Sequence, residues 1–297
     1  MENIKLYNTV AEYDNDEKVI PQVSYIIESD EVKYEYEAPH DYSQDYLTFR
    51  ILSSGTLNWK TSNNGFNKTL TYSLNDGEWT DYATTYSGNI LNLNAGDVIK
   101  FKATRASYAD SAAWTTFSAS TATFDIEGNI MSILYGDNFA GQTTLTGDYT
   151  FFKLFQNTKI VNAENLVLPA TTLRRSCYRD MMNNCQLMVK APQLPATTLV
   201  QECYWATFYH CDSLEESPLL LSTGAVPTRG YSDMFTYCAN LKKVTCLAIN
   251  VADSNAITYW LGNVSPTGTF YKNPSMTGWP TGASGIPTGW TVQDYTN

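Results

Sequence analysis

Apolar and polar residues alternate along the first third of the chain with a period of two. "YLTFRIL" at 46–52 and "TLNWK" at 56–60 place every second side chain on one face, the pattern of half-buried strands. "LTYSLNDGEWTDYA" folds two such runs around Asn75-Asp76-Gly77, where glycine accepts positive φ and so favours a hairpin. "ILNLNAGDVIKFKA" repeats the arrangement around Ala95-Gly96, and "ATFDIEG" closes the region near residue 127. Several short strands spaced roughly ten residues apart predict a small β-sandwich of immunoglobulin-like (Ig-like) architecture over 46–127.

From residue 128 the pattern changes. "LPATTL" occurs at 168–173 and again at 194–199, and the match extends well beyond those six residues. Cys177 pairs with Cys203, Tyr178 with Tyr204, Met182 with Phe208, Cys185 with Cys211, Met188 with Leu214 and Pro192 with Pro218. A third copy supplies Tyr231, Phe235, Cys238 and Leu241, and a worn first copy supplies Phe155, Thr158 and Val161. About four repeats of 26–27 residues over 128–254 lie within the leucine-rich-repeat range. Leu173, Cys177, Tyr178, Met181 and Met182 fall at i, i+4, i+5, i+8 and i+9, which predicts one face of a short helix started by Thr171 or Thr172. A strand with Met188 pointing inward then leads to a Pro-bounded corner. No single unit buries its own apolar face, whereas stacked units do. The segment 255–297 carries Trp260, Trp279 and Trp290 among many Gly and Pro, and predicts a cap for the last unit. The expected class is α+β: an Ig-like β-sandwich followed by a short capped leucine-rich-repeat solenoid.

These residues resemble a known family. "LPATTL…CY…MF…C..L" is similar to the BspA-like leucine-rich repeats of surface proteins of gut bacteria and of virion proteins of their phages. "GTFYKN…WPTG…GIPTGWTV" resembles the close of such arrays, "GNIMSILYGDNF" their lead-in, and "YSLNDGEWTDY" the small β domain that precedes them. The third copy departs, with "LSTGAVPTRGY" standing in place of LPATTL-x3-CY. The resemblance covers residues 46–297 and implies display and recognition rather than catalysis. The first segment, "LYNTVAEYDNDEKVIPQVSYIIESDEVKY", resembles the N-terminal part of structural proteins of such phages. That implies an anchor to the particle, with Tyr7, Tyr13 and Tyr25 as candidate anchor residues.

Composition narrows the function. A chain with 43% apolar and 16% charged residues folds rather than staying disordered. Its net charge of -11 argues against nucleic acid as a partner. The first 46 residues hold twelve acidic side chains against three lysines, leaving a near-neutral body behind an acidic arm (1–45) that reads as an attachment segment. No stretch has the ~20 apolar residues of a membrane helix. "MENIKLYNTVAEYDNDEK" shows no secretion signal or lipobox, so none is expected.

Candidate chemistry is sparse. All six cysteines lie in the repeat half, recur with the repeat and contain no CxxC, so a ladder of buried free thiols is expected rather than zinc or disulfides. Of the two histidines, His40 sits in the acidic arm. His210 adjoins Cys211, but that cysteine occupies the core register, so no Cys–His nucleophile is expected. Asp14 and Asp16 lack the Gly and Glu that complete a calcium loop. Among Tyr204, Trp205, Tyr209, Tyr231, Tyr237, Tyr259, Trp260 and Tyr271, Trp205, Tyr209 and Tyr237 fall off the core face and are the candidate ligand-contact surface.

The expectation is a non-enzymatic phage virion structural protein, a fibre or capsid decoration on the virion surface, with no cofactor. It would meet other virion proteins through its arm and a host-surface glycan or protein through its repeats. A homo-oligomer, with a trimer favoured, would add avidity. A secreted bacterial surface adhesin is the second reading. A glycan hydrolase is the third, and it needs two converging carboxylates that the repeats do not offer.

Overall fold

The computed structural model describes residues 23–28, 31–36, 40–251, 253 and 255–296. Tyr7, Tyr13, Asp14 and Asp16 lie outside the described residues. The chain forms two compact units, Met1–Asp41 and Tyr42–Asn297. In the first, strand β1 (Val23–Glu28) pairs antiparallel with β2 (Glu31–Tyr36), with Tyr25 opposite Tyr34.

In the second unit the alternating runs become strands. They are β3 (Leu47–Ser53), β4 (Gly55–Thr61), β5 (Thr69–Leu74), β6 (Thr80–Ala83), β7 (Asn89–Leu93), β8 (Val98–Lys102), β9 (Thr115–Thr116) and β10 (Thr123–Asn129). Leu47, Phe49 and Ile51 point inward and Arg50 and Leu52 outward, as period two requires. A short strand β11 (Leu166–Val167) pairs parallel with β10 and completes a six-stranded sheet ordered β11-β10-β3-β8-β5-β6; a second sheet is ordered β7-β4-β9. Tyr82 of β6 reaches across and donates its hydroxyl to the carbonyls of Leu57 and Asn89, so both sheets share one core.

The hairpin expected around Asn75-Asp76-Gly77 forms, with β5 antiparallel to β6, but with its positive φ placed differently; the one expected at Ala95-Gly96 does not form. At 74–77 the positive φ falls on Asn75 and Asp76 (50° and 57°), and the Gly77 N–H closes the turn on the Leu74 carbonyl. Asn and Asp tolerate this region, and the double positive φ matches the twist of the flanking strands. At Ala95-Gly96 the strands on either side do not pair. The strand β7 joins β4, while β8 joins β3 and β5 in the other sheet.

The repeats contain no helix at Leu173–Met182. Among the described residues the only α-helix is α1 (Ser132–Tyr135), and the described structure is mostly β, 30% strand and 4% helix. Each repeat is instead a run of overlapping four-residue turns, and alternate peptide units face different ways. The Cys177 carbonyl accepts from the Phe151 N–H of the preceding rung (2.8 Å). The N–H of that same peptide unit, on Tyr178, donates to the Cys203 carbonyl of the next rung (3.0 Å). The intervening peptide closes turns within its own rung, with Cys177 N–H to Arg174 and Arg179 N–H to Ser176. A helix directs nearly all its N–H groups to its own i−4 carbonyls and has none for a neighbouring rung. The turns require positive φ every fourth residue: Tyr149, Lys153, Asn157; Ser176, Asp180, Asn184; Glu202, Ala206, His210; Arg229, Asp233, Tyr237; then Tyr259 and Asn263. Thr171 caps nothing; its N–H donates to the Thr143 carbonyl. In the divergent third copy the turn survives, closed by Gly230 N–H on Pro227 O, with Val226 buried.

The core positions read from the repeat are buried, with one shift. Ile160, rather than Val161, is fully enclosed, and Val161 is half-buried because the first copy carries one residue fewer before its outward corner. Stacking aligns like side chains. Rings run Phe151–Tyr178–Tyr204–Tyr231–Trp260–Trp279 with centroids 5.3–6.2 Å apart, and Phe208 stacks on Phe235. Such pairs add about 0.5–1.5 kcal/mol each beyond area burial. All six cysteines are free and buried. Cys185, Cys211 and Cys238 donate their thiols to the Phe155, Met182 and Phe208 carbonyls of the rung before, at 3.0–3.2 Å. Burial pushes the thiols up, Cys185 to about 11 and Cys203 and Cys246 to about 12.

The stack runs on past residue 255. Strands β12 (Lys243–Cys246), β13 (Gly268–Lys272) and β14 (Trp290–Asp294) pair in parallel, and Trp279 lies on Trp260 at the end of the ring ladder. At the other end, Phe155 meets Phe49 (6.0 Å) and Phe117, joining the rungs to the β core.

Urea unfolding should separate these contributions. Tyr204→Ala is expected to lose about 3–5 kcal/mol. Tyr204→Phe keeps the stack and removes a buried hydroxyl with no partner among the described residues, so it should cost less than about 1 kcal/mol. Ala206→Gly should hold or raise stability by up to about 1 kcal/mol, because an L-residue at positive φ costs about 1–2 kcal/mol; a loss there would contradict the turn account.

Candidate functional site

Between the core positions of each rung, side chains at equivalent places form columns on the surface. Three columns matter chemically.

The first holds Trp205. Its ring lies between the Arg179 guanidinium of the preceding rung (3.7 Å to the centroid) and the Arg229 guanidinium of the following one (4.7 Å). Its indole N–H donates to Asp233 (3.1 Å). Arg179 also covers Phe152, and Lys153 covers Trp114. Glu202, with a side chain only 3% exposed, neutralises this column. It accepts from the Ser176 hydroxyl (2.7 Å) and Arg175 (3.2 Å), with Arg229 at 3.6 Å and Arg179 at 3.9 Å. Burial pushes the Glu202 carboxyl up, but the Ser176 hydroxyl and Arg175 outweigh it and hold it below its ordinary 4.5. Burial raises Asp180 and Asp233 instead.

The second column brings Tyr209 and Tyr237 together. Their rings meet edge to face at 5.5 Å, and His210 stacks on Tyr237 at 5.2 Å while its Nδ1 lies 2.7 Å from Asp212. Tyr237 is exposed and Tyr209 half-buried. Trp205 belongs to the separate arginine column, so the three candidate contact residues divide between two places.

The third column is a groove that the aromatic pattern points to only in part. A cavity of about 470 Å³ is bordered by Glu164, Lys190, Glu216, Lys243, Tyr271 and Tyr295. In sequence the first four recur at intervals of 26, 26 and 27 residues with alternating charge, although the register sets Asn162 rather than Glu164 beside Lys190. Glu216 bridges to Lys243 in backbone register, and their side chains form an ion pair at 2.5 Å. Outside the groove, Lys242 pairs with Glu215 at 2.6 Å. Lys190 is exposed and makes no ion pair among the described residues. Tyr271, on β13, lies with the Lys243 ammonium 5.9 Å from its centroid, and Tyr295 is fixed by its N–H to the Lys272 carbonyl (2.8 Å). The charge alternation at the repeat period was the available signal for this groove.

No group of three or more His, Cys, Asp or Glu side chains able to hold a metal occurs among the described residues. His210 and Cys211 adjoin in sequence, but the Cys211 thiol is enclosed and donates to Met182 O. Comparison with protein-family models, curated proteins and solved structures returns no match.

Glu202→Gln should lower stability at pH 7 by about 1.5–3 kcal/mol, the worth of hydrogen bonds to a charged partner. A carboxyl held below its unfolded value stabilises above that value and loses the contribution as pH falls through the folded one. The gap between parent and variant should therefore close as pH drops below about 5. Chemical denaturation across a pH series checks this; a gap independent of pH would exclude the electrostatic account.

Proposed function

We propose that the chain is a non-enzymatic structural protein of a phage particle, a fibre or decoration subunit on the virion surface. In this reading the acidic N-terminal segment attaches it to other virion proteins. An Ig-like β-sandwich then carries a capped BspA-like leucine-rich-repeat solenoid that meets a host-surface glycan or protein. Homo-oligomers, with a trimer favoured, would multiply weak contacts into avidity.

The observation that carries this reading is the rung-to-rung ladder. Backbone groups hold each rung to the next, and core side chains are enclosed, so columns of surface side chains can differ without disturbing the frame. A rigid surface of that kind suits recognition, because little ordering entropy is lost on binding. Every cysteine thiol is buried and protonated, which removes the most nucleophilic side chains from the surface. The resemblance of the repeat pattern to surface proteins of gut bacteria supports a second reading, a bacterial surface adhesin with the same binding physics.

Fractionation separates the two readings. An antibody against the chain should find it in density-banded, DNA-filled particles, and immunogold should label their exterior. Recovery in the bacterial envelope fraction instead, with unlabelled particles, would overturn the virion reading in favour of the adhesin.

A further inference from the structure

We propose that the groove bordered by Lys190, Glu216, Lys243 and Tyr271 binds a neutral oligosaccharide of two or three sugar units. The proposal rests on the recognition reading above and names its ligand class and its site.

The cavity of about 470 Å³ has the size of small-ligand clefts, roughly 300–1,000 Å³. Its border is set by register. Glu216 and Lys243 face each other across a backbone bridge, Thr245 pairs with Tyr271 in β12 and β13, and Tyr271 with Gln293 in β14. These side chains are therefore positioned before any ligand arrives, which reduces the entropy lost on binding.

The chemistry selects the ligand. Glu164, Lys190, Glu216 and Lys243 sum to zero around the groove, so it has no net charge to draw an ion of either sign; in backbone register it is Asn162 that stands beside Lys190, and its amide donates to Glu164. It offers ammonium donors and carboxylate acceptors side by side, and sugar hydroxyls both donate and accept. Lys190, which has no ion-pair partner among the described residues, has its three donors available. At one end Tyr271 and Tyr295 supply rings with a flat apolar face and a polar tip, suited to the C–H face of a pyranose. A protein partner would need apolar anchors at the centre of the contact, and this groove has charges there.

Isothermal titration of the full chain with cellotriose, maltotriose and triacetylchitotriose, and with 3′-sialyllactose as the charged comparator, tests the proposal. At least one neutral trisaccharide should bind with a Kd of about 1 mM or tighter. Tyr271→Ala should weaken it at least about tenfold, Lys190→Ala about threefold to tenfold, and Trp205→Ala by less than about twofold. Lys190 and Gln193 are exposed, so Lys190→Ala and Gln193→Ala keep the fold and guard against a misfolded Tyr271 variant. Absence of neutral binding at about 10 mM, preference for 3′-sialyllactose, or unchanged binding in both Tyr271→Ala and Lys190→Ala would overturn the groove. Labelling of intact host bacteria by the fluorescent chain separates the two levels. Groove variants that keep both trisaccharide binding and labelling at the parent's level refute the groove and leave surface recognition standing; a parent that labels no cells while still binding a trisaccharide refutes surface recognition and leaves the groove.

Discussion

The fold of the repeat half depends on one constraint: every second peptide unit must lie along the stack and hydrogen-bond to both neighbouring rungs. Once the Cys177 carbonyl is committed backward and the Tyr178 N–H forward, the peptides between them can close only local turns. Alternate turns then need positive φ at their third residue, and fourteen residues of the array adopt it without a glycine among them. Asn157, Asn184, His210 and Asn263 take the third such place in their rungs, where the left-handed region is least unfavourable for a residue with a side chain. At Ser176, Glu202 and Arg229 the strain is held by the ladder on either side. The same constraint explains the thiols. A carbonyl such as Met182 O already accepts a turn N–H, and its second lone pair takes the Cys211 thiol, a small apolar group with one weak donor.

The sequence made the period, the core and the end of the ring column legible, because burial at a fixed repeat leaves a strong mark on residue type. It did not make the local backbone legible. Apolar residues at i, i+4, i+5, i+8 and i+9 fit a helix of 3.6 residues per turn. They fit equally well a chain whose turns repeat every four residues, and no residue type in "RRSCYRDMMNNC" separates the two. What decides between them is the neighbouring rung, which is absent from any window of a single repeat. The β region shows the same limit. Alternation identified the strands, but whether the strand ending at Leu93 joins the one beginning at Val98 depends on sheet membership, and tertiary packing sends them to different sheets.

Surface chemistry was legible in proportion to its periodicity. Off-register position marked Trp205, Tyr209 and Tyr237, and two of them meet. Trp205 instead sits among arginines that Glu202 gathers from the rungs on either side of its own, an arrangement that needs Arg175, Arg179 and Arg229 to converge although they span fifty-four residues. Pairing a ring with guanidinium groups on neighbouring rungs stiffens that column, and it also occupies the ring that would otherwise be offered to a ligand.

The groove column is arranged differently, and the contrast bears on where recognition resides. In the arginine column the charges neutralise one another around a buried carboxylate, leaving few unspent donors. In the groove Glu216 and Lys243 are joined and Asn162 donates to Glu164, while Lys190 and the Tyr271 ring remain at the surface beside a cavity. A frame that fixes its backbone through the ladder has no structural need for complementary charges at rung spacing along an open cleft. Isolated surface ion pairs contribute about 0–1 kcal/mol, too little to account for the Lys190–Glu216–Lys243 alternation as a stabilising device. Donors and acceptors held ready in one line, with rings at the end, make better sense as complements to a ligand that carries both.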